Sequence, residues 1–269
     1  MIEETKPRRH GGTEKGWSVY KVGGPALEDP QLVAPLAAEL RRVAGPVVVV
    51  HGGGRSIERM LKALGIQSHF VEGRRVTSAE AMDVVEMVLS GIVNKGLAAG
   101  LTAAGLPAVG ISGRDAGLLH ARLEPGLGRV GTPERVEPAP LLALWNAGYV
   151  PVVAPVSAGP SGESVNVNAD EAALGIARAL SARCLVYLSD VDGVRVSGAA
   201  AASLTPEEAE QRIADGTITG GMVLKVKIAL EAADAGIPEV VVAGGARLLG
   251  GFPGTVIQAT RPGATEVWR

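Results

Sequence analysis

Lys225 is the residue whose position in this chain most strongly suggests chemistry. Residues 221–235 predict an amphipathic helix that follows the glycine-rich turn GTITGG. At about 100° per residue, Lys227 and Glu231 fall on its polar side, whereas Lys225 falls among apolar residues near the helix start, where the helix dipole disfavours a cation. A lysine there indicates an anionic partner, and phosphate is the anion that glycine-rich helix starts bind. The alternative is a lysine stem that runs along the helix surface to water.

Two further glycine-rich segments have the same anion-binding character. The first, KVGG from Lys21, follows an apolar run, so that its lysine and the backbone N–H groups behind it could approach one phosphate. The second, VVVVHGGG, joins a buried run to a helix that begins near residue 56. It lacks the G-x-G-x-x-G spacing of dinucleotide-binding loops, which favours phosphoryl binding over dinucleotide binding. We interpret His51 of this segment as a hydrogen-bonded structural histidine rather than a base.

Three polar segments supply candidate ligands for a substrate. Arg75 in GRRVT precedes a predicted helix and could clamp a carboxylate through two parallel hydrogen bonds, or be solvated. In NVNAD, Asn166 and Asn168 share one face of an extended segment, and Asp170 opens the next helix, where capping alone would explain it. The turn SDVDGV follows a buried run and is typical of a loop on the nucleotide side of an α/β protein.

Short apolar runs alternate with helical patterns, which predicts an α/β fold with a mostly parallel sheet and helices on both faces. Strands are expected at residues 17–22, 46–51, 107–111, 150–155, 184–188 and 239–243, and helices at 31–43, 56–64, 78–104, 170–180, 206–214 and 221–235. Thr77 and Glu80 have capping-box spacing at the start of the long helix. Residues 120–137 lack a helical period and are expected to form hairpins or a flap beside the sheet.

The composition limits the class of protein. The 269 residues suffice for one large domain or two lobes, and a net charge of −2 with 3% aromatic residues argues against a nucleic-acid binder. Cys184, the one cysteine, is expected in the core and fits a reducing cytosol. The N-terminus has no apolar signal region, and no apolar run approaches the roughly 20 residues that span a bilayer. We therefore expect a cytoplasmic protein without a membrane partner.

Nine segments in order resemble those of the amino acid kinase family: KVGG, VVHGGG, GRRVT, EMVLSGIVNK, GISGRDAGLL, GRVG, NVNAD, LSDVDGV and GGMVLKV. Each is weak alone, but together they span residues 21 to about 230. The resemblance implies a three-layer αβα sandwich with a mostly parallel central sheet. It also implies an N-terminal lobe, residues 1–180, for the amino-acid substrate and dimerisation, and a C-terminal lobe, residues 181–269, for the nucleotide.

The resemblance implies roles for the catalytic candidates. Lys21 and Lys225 would stabilise the transferring phosphoryl group from opposite sides, and Asp170 would orient both lysines. Gly53 and Gly24, with neighbouring backbone amides, would complete the phosphate cradle.

The remaining implied roles concern substrate and nucleotide. Arg75 would hold the α-carboxylate of the substrate, and Asn166 would bind its acetamido and main-chain region. Gly53 and Gly54 would also bind the substrate. The ATP site would be lined by Asp190, Gly193 and Thr219.

Within the family, the segments are most similar to enzymes that phosphorylate N-acetyl-L-glutamate in arginine biosynthesis. The implied reaction uses ATP with Mg²⁺ carried by the nucleotide, without protein metal ligands, and yields N-acetyl-L-glutamyl 5-phosphate. A carboxylate nucleophile has a pKa of about 4.3 and is ionised at pH 7, so no general base is needed. Catalysis would rest on positioning and charge stabilisation.

Both termini depart from those of arginine-inhibited members of the family. The N-terminal tail is short and contains glycine, and the stretch GARLLGGFPGTVI lacks the acidic residue expected there. We therefore expect a homodimer rather than a hexamer, and weak or absent inhibition by arginine.

Two other functions remain compatible with these residues. One is a kinase for glutamate or 2-aminoadipate attached to an amino-group carrier protein, for which Arg114, Arg122, Arg129 and Arg135 could form a basic surface. The other is a non-catalytic metabolite sensor of the same fold, against which the presence of both lysines and Asp170 argues. A nicotinamide oxidoreductase is disfavoured by the glycine spacing.

Overall fold

The protein is built around one continuous, mostly parallel sheet. The computed structural model describes residues 16–23, 27, 29–71, 73–189, 191–196, 198–251 and 253–259. The strands are β1 (Ser18–Val22), β2 (Val47–His51), β3 (His69–Val71), β4 (Arg74–Val76), β5 (Ala108–Ser112), β6 (Leu119–Leu123), β7 (Val130–Val136), β8 (Val150–Ala154), β9 (Val156–Ala158), β10 (Ser164–Val167), β11 (Cys184–Ser189), β12 (Arg195–Val196), β13 (Ala199–Ala200), β14 (Ser203–Leu204), β15 (Glu239–Gly244) and β16 (Thr255–Ile257). Eight of them form the central sheet in the order β14-β16-β15-β11-β1-β2-β8-β5, in which only the β15–β16 pair is antiparallel.

Helices cover both faces of this sheet. They are α1 (Val33–Arg42), α2 (Gly54–Ala63), α3 (Ala79–Ala103), α4 (Ala139–Asn146), α5 (Ala169–Ala179), α6 (Pro206–Ala214), α7 (Gly221–Asp234) and α8 (Gly245–Leu248). Apolar side chains of α1, α3 and α8 pack on one face, and those of α5 and α7 pack on the other. The predicted three-layer αβα sandwich is therefore confirmed.

Side-chain alternation divides the sheet into its two faces. Val19 in β1 and Val48 and Val50 in β2 face α5 and α7, whereas Tyr20 and Val49 face α1 and α3. Both faces are apolar because helices cover both, which explains the unbroken valine run of β2. Lys21 shares the face of Val19, so its position on β1 turns its side chain toward α5.

A small barrel lies beside the sheet. Strands β6, β7, β9 and β10 close it, with β6 and β7 paired as an antiparallel hairpin. The hairpin expected within residues 120–137 is thus confirmed, but its partner strands β9 and β10 were not predicted. Strands of three or four residues show too little alternation to be recognised in a sequence.

The long helix α3 contains a register shift. Residues Met87–Val93 form a π-helical segment between two α-helical parts. Ser78, rather than Thr77, caps the helix, because Ser78 Oγ accepts from Ala81 N at 3.1 Å. The Thr77–Glu80 capping box was therefore wrong, and Thr77 instead donates to Arg75 O at 2.7 Å.

By length and composition, α3 could also cross a membrane, and it is the one helix of the described residues that could. This was not expected from the apolar runs. A helix packed in a protein core passes the same test, and the inner side of α3 packs on the sheet and on α2.

The six predicted strands and six predicted helices of the main sandwich are all present, with bounds within about two residues. Helix α4, the β3–β4 hairpin and the edge strands β14 and β16 were missed. Cys184 is buried at the start of β11, and burial raises its pKa to about 12, which confirms its core position.

Candidate functional site

Two lysines from distant parts of the chain meet on one carboxylate. Lys21 Nζ lies 2.9 Å from Asp170 Oδ1, and Lys225 Nζ donates to Asp170 Oδ2 at 2.8 Å. All three side chains are nearly buried, with exposed fractions of 10–11%. The cluster carries two positive charges and one negative charge.

Each member of the cluster is held by a different element. Lys21 extends from β1 toward α5. Asp170 lies in the first turn of α5, where the Asn168 side chain caps the helix by accepting from Asp170 N at 2.8 Å. Lys225 comes from the buried side of α7, as its helical position predicted, whereas Lys227 is exposed.

Burial and mutual attraction set the charges of these groups. Burial by itself would raise the pKa of Asp170, but the attraction of Lys21 and Lys225 outweighs burial and lowers the pKa to about 2. Burial, and then repulsion from Lys21, lower the pKa of Lys225, although Asp170 opposes both effects. Asp170 therefore keeps two ammonium groups together that would otherwise repel each other.

Tyr187 lies against Lys225 of this cluster and was not predicted from the sequence. Its ring on β11 is fully buried, with the centroid 5.8 Å from Lys225 Nζ. Such a distance permits a cation–π attraction. The position of Tyr187 on the α5 face of β11 could have suggested it, because CLVYL alternates as a strand between two covered faces.

Glycines bring the backbone close to this cluster. A Cβ atom added at Gly23 would lie 2.8 Å from Lys21 Nζ, and one added at Gly53 would lie 2.6 Å from Leu89 Cδ2. Gly52 N donates to Val22 O at 2.9 Å, which ties the glycine turn after β2 to the end of β1. The backbone after β1 thus lies beside Lys21, and the glycine turn after β2 is hydrogen-bonded to the end of β1.

We predict that Gly23→Ala lowers kcat by about ten- to a hundredfold without unfolding the protein. The new methyl group would meet the mobile end of Lys21 rather than backbone, so the fold can adapt, but the ammonium group must leave its position on Asp170. Steady-state kinetics and thermal melting test this. Gly91→Ala is the control, because a Cβ atom there meets nothing within 4 Å. Wild-type kcat in the Gly23 variant would contradict the placement of Lys21 at the reacting group.

A second cluster surrounds Arg75. The guanidinium group is buried; NH1 donates to Glu58 Oε2 at 2.6 Å and to Ser68 Oγ, and NH2 donates to Gly54 O at 3.3 Å. The ring of Phe70 lies 4.5 Å from the guanidinium carbon. Arg75 and Gly54 are therefore neighbours, but a carboxylate of the protein itself already occupies the arginine. Nothing in the spacing of Glu58 from Arg75 indicated this pair.

Asn166 joins this second cluster through Thr77. Asn166 Nδ2 donates to Thr77 Oγ1 at 3.3 Å, and Thr77 in turn donates to the carbonyl of Arg75. The structure thus brings Gly54, Arg75 and Asn166 into one region around the start of α3.

The predicted nucleotide-side residues lie in the C-terminal half. Gly193 is buried in the loop after β11, where Val194 N donates to Thr255 Oγ1 at 2.9 Å. Thr219 is exposed in the turn before α7. Hydrogen bonds among the described residues do not link either of them to the two clusters. Gly24 and Asp190 lie outside the described residues.

A cavity of about 720 Å³ lies on the other side of the glycine turn. Gly53 and Gly54 border it, but its remaining walls come mostly from α1 and α3. None of Lys21, Asp170 and Lys225 lines this cavity, so the charged cluster, rather than the cavity, marks the candidate site.

The chain matches the Amino acid kinase family over residues 16–244 and belongs to that family. Its curated relatives include the acetylglutamate kinase of Rubrobacter xylanophilus, which is 46% identical over 251 residues and covers 89% of this chain and 96% of that protein. The acetylglutamate kinase of Geobacillus kaustophilus is 46% identical over 233 residues, which are 84% of this chain and 89% of that protein.

A solved structure supports the same fold. The structure of smu.665 from Streptococcus mutans superposes with a TM-score of 0.81 at 25% identity, over 91% of this chain and 99% of that one. The likeness extends through both halves of the sheet.

Proposed function

We propose that this chain is an ATP-dependent kinase that phosphorylates the side-chain carboxylate of N-acetyl-L-glutamate, a step of arginine biosynthesis. The products are N-acetyl-L-glutamyl 5-phosphate and ADP. The observation that carries the phosphoryl transfer is the convergence of Lys21 and Lys225 on Asp170. The substrate follows from the relatives named acetylglutamate kinase, which are about 45% identical over most of the chain.

The charge of the lysine cluster suits the reaction. Two cations and one anion leave a net positive charge in a nearly buried place, which an incoming phosphoryl group would offset. Charge moves between the transferring group, the leaving ADP and the attacking carboxylate, and Lys21 and Lys225 would stabilise that charge from two sides. The substrate carboxylate is already ionised at neutral pH and needs no general base. Asp170 would therefore act by holding the two lysines.

The two substrates would bind to residues of different lobes. Backbone amides at Gly53 and Gly24 would cradle the phosphoryl group, and Gly54, Arg75 and Asn166 would bind N-acetylglutamate. The C-terminal lobe, residues 181–269, would bind ATP through Asp190, Gly193 and Thr219. The sheet is continuous across this boundary through the pairing of β1 with β11, which would hold both sites in register.

Mg²⁺ would accompany ATP and reduce the repulsion between its phosphates and the carboxylate nucleophile. The described residues contain no group of three or more acidic, histidine or cysteine side chains that could hold a metal ion, and Asp170 already pairs with two lysines. Phosphate oxygens would therefore supply the metal's ligands. We further propose a cytoplasmic homodimer formed through the N-terminal lobe.

A substrate panel tests the proposal. ADP release would be measured with Mg-ATP and free N-acetyl-L-glutamate, L-glutamate, N-acetyl-L-aspartate, or glutamate and 2-aminoadipate on an amino-group carrier protein. We expect turnover with free N-acetyl-L-glutamate. Turnover confined to the carrier-bound substrates would favour the carrier-dependent kinase, and binding of Mg-ATP without turnover on any substrate would favour a sensor.

We predict that Glu58→Gln lowers the KM for N-acetyl-L-glutamate by up to about fivefold with little change in kcat. Glu58 is 54% exposed and competes with the substrate for Arg75, and an ion pair of that exposure is worth at most about 1 kcal/mol. Ser68→Ala is the matched variant, since it loosens Arg75 without removing a competing charge, and we expect it to raise the KM. A higher KM in Glu58→Gln would mean that Glu58 positions Arg75 instead of competing for it.

A further inference from the structure

His51 forms a completely buried link between α3 and the glycine turn. Its Nδ1 lies 2.7 Å from Gly52 O, and its Nε2 lies 3.1 Å from Asn94 Nδ2. Asn94 Nδ2 also lies 3.1 Å from Ile111 O and 2.9 Å from Val152 O, and these two carbonyl acceptors identify it as the amide nitrogen. An amide nitrogen can only donate; His51 Nε2 therefore accepts, and Nδ1 carries the proton that it donates to Gly52 O.

Neither ring nitrogen of His51 is left for proton transfer. Burial lowers the pKa of His51 to about 4, so the ring stays neutral at pH 7. This agrees with its interpretation as a hydrogen-bonded histidine rather than a base. The link must act through the peptide that it holds.

The hydrogen bond to Gly52 O determines where the next N–H group points. In a trans peptide the C=O of Gly52 and the N–H of Gly53 point in opposite directions. His51 shares the sheet face of Val49, which is covered by α1 and α3, so Gly52 O turns toward that face. The Gly53 N–H is thereby directed to the opposite face, where Lys21 and Asp170 lie. It has no hydrogen-bond partner within the described residues.

The π-helical segment of α3 brings Asn94 to His51. The buried positions of the helix step from Val85 to Leu89 by four residues and then from Leu89 to Asn94 by five. An uninterrupted α-helix would have carried this buried row from Leu89 to Ile92 or Val93, whereas Ile92 is 59% exposed, Val93 is only half-buried and Asn94 is completely buried. The same segment places Leu89 against Gly53, at one end of the peptide that His51 orients.

We propose that His51, held by Asn94, is a positioning residue that orients the Gly52–Gly53 peptide so that Gly53 N–H donates to the transferring phosphoryl group. The inference rests on the proposed kinase function. It deepens that function by assigning the side chains that orient the backbone donor at Gly53.

Two substitutions at His51 test whether the hydrogen-bond donor at the Nδ1 position, rather than the imidazole ring itself, is required. The amide nitrogen of asparagine takes approximately the place of imidazole Nδ1, and that of glutamine approximately the place of Nε2. His51→Asn therefore keeps a donor for Gly52 O, whereas His51→Gln loses it. We expect kcat of His51→Asn within about threefold of wild type and that of His51→Gln lower by about a hundredfold, as for loss of one preorganised donor. The KM for N-acetyl-L-glutamate should change less than threefold in both.

Equal kcat in the two variants, at temperatures where both are folded by thermal melting, would overturn the proposal. Absence of kinase activity in the wild-type protein would instead overturn the proposed function. An NMR measurement on the wild-type protein tests the proposal even if the variants do not fold. Addition of MgADP, aluminium fluoride and N-acetyl-L-glutamate should shift the Gly53 amide proton downfield in the NMR spectrum, with His51 in the Nδ1–H form. An unmoved Gly53 resonance in the saturated complex would also overturn the proposal.

Discussion

Lys225→Ala is expected to lower kcat at least a hundredfold while the protein remains folded. The substitution removes one of the two charges that would stabilise the transferring phosphoryl group, and loss of a single preorganised electrostatic contact costs about 10²–10³ in rate. The fold should survive because Asp170 keeps Lys21 as its partner, which leaves a neutral pair. Burial also lowers the pKa of Lys225, so its ammonium group is a costly one to keep charged. Coupled ADP release and thermal melting measure the two effects.

Lys227→Ala is the control for this prediction. Lys227 lies two residues further along α7 and is exposed, so that its removal changes the net charge equally without touching the cluster. Its kcat should stay within about twofold of wild type, as for a surface substitution. If Lys225→Ala turned over as fast as Lys227→Ala, Lys225 would have no part in catalysis, and a binding protein of the same fold would become the better interpretation.

Local sequence rules indicated where the two lysines of the charged cluster lie, but only the family resemblance brought them together on Asp170. Helical periodicity put Lys225 on the apolar side of α7, and the apolar run before Lys21 with the glycines after it put Lys21 at a strand end. A parallel sheet brings the carboxyl ends of its strands to one edge, so that residues about 200 positions apart in the chain can meet there. The layers of the sandwich followed from the same two periodicities.

The partners of the site residues could not be predicted from the sequence, because they depend on contacts between distant segments. The pairing of Arg75 with Glu58 requires the β3–β4 hairpin to fold over α2, and neither short strand shows a pattern. The contact of His51 with Asn94 depends on the π-helical shift in α3, which a period of 3.6 residues cannot reveal. Thr77 and Ser78 can both cap a helix, and the hydrogen bonds of Thr77 to Leu127, Arg129 and Asn166 leave Ser78 as the cap.

Asp170→Asn is expected to lower kcat at least a hundredfold and to destabilise the protein at pH 7 by about 3 kcal/mol. The amide keeps the size of the side chain but leaves two buried ammonium groups without a counter-charge. Their repulsion should move at least one of them away from the phosphoryl site. In this respect the variant differs from Lys225→Ala, which removes a cation and should cost activity without a comparable loss of stability.

The pH dependence of unfolding isolates the charge of Asp170. Its pKa is lowered from 3.8 to about 2 in the folded protein, so the wild type gains stability above pH 4 and loses it as the pH falls from about 4 to about 2. This contribution amounts to about 2 kcal/mol, because each pKa unit corresponds to about 1.4 kcal/mol. The Asn variant has no such group, so the difference in unfolding free energy between the two proteins should shrink across that interval.

Urea unfolding at pH 7 and at pH 2.5, with Asp83→Asn as the control, tests this expectation. Asp83 is an exposed carboxylate on α3, and its loss removes the same charge without touching the cluster, so kcat should not change. Other carboxylates titrate in all three proteins and cancel in the differences. A constant gap between wild type and Asp170→Asn at both pH values would show that Asp170 does not hold the two lysines through its charge, and the electrostatic account of the site would then fail even if the variant were inactive.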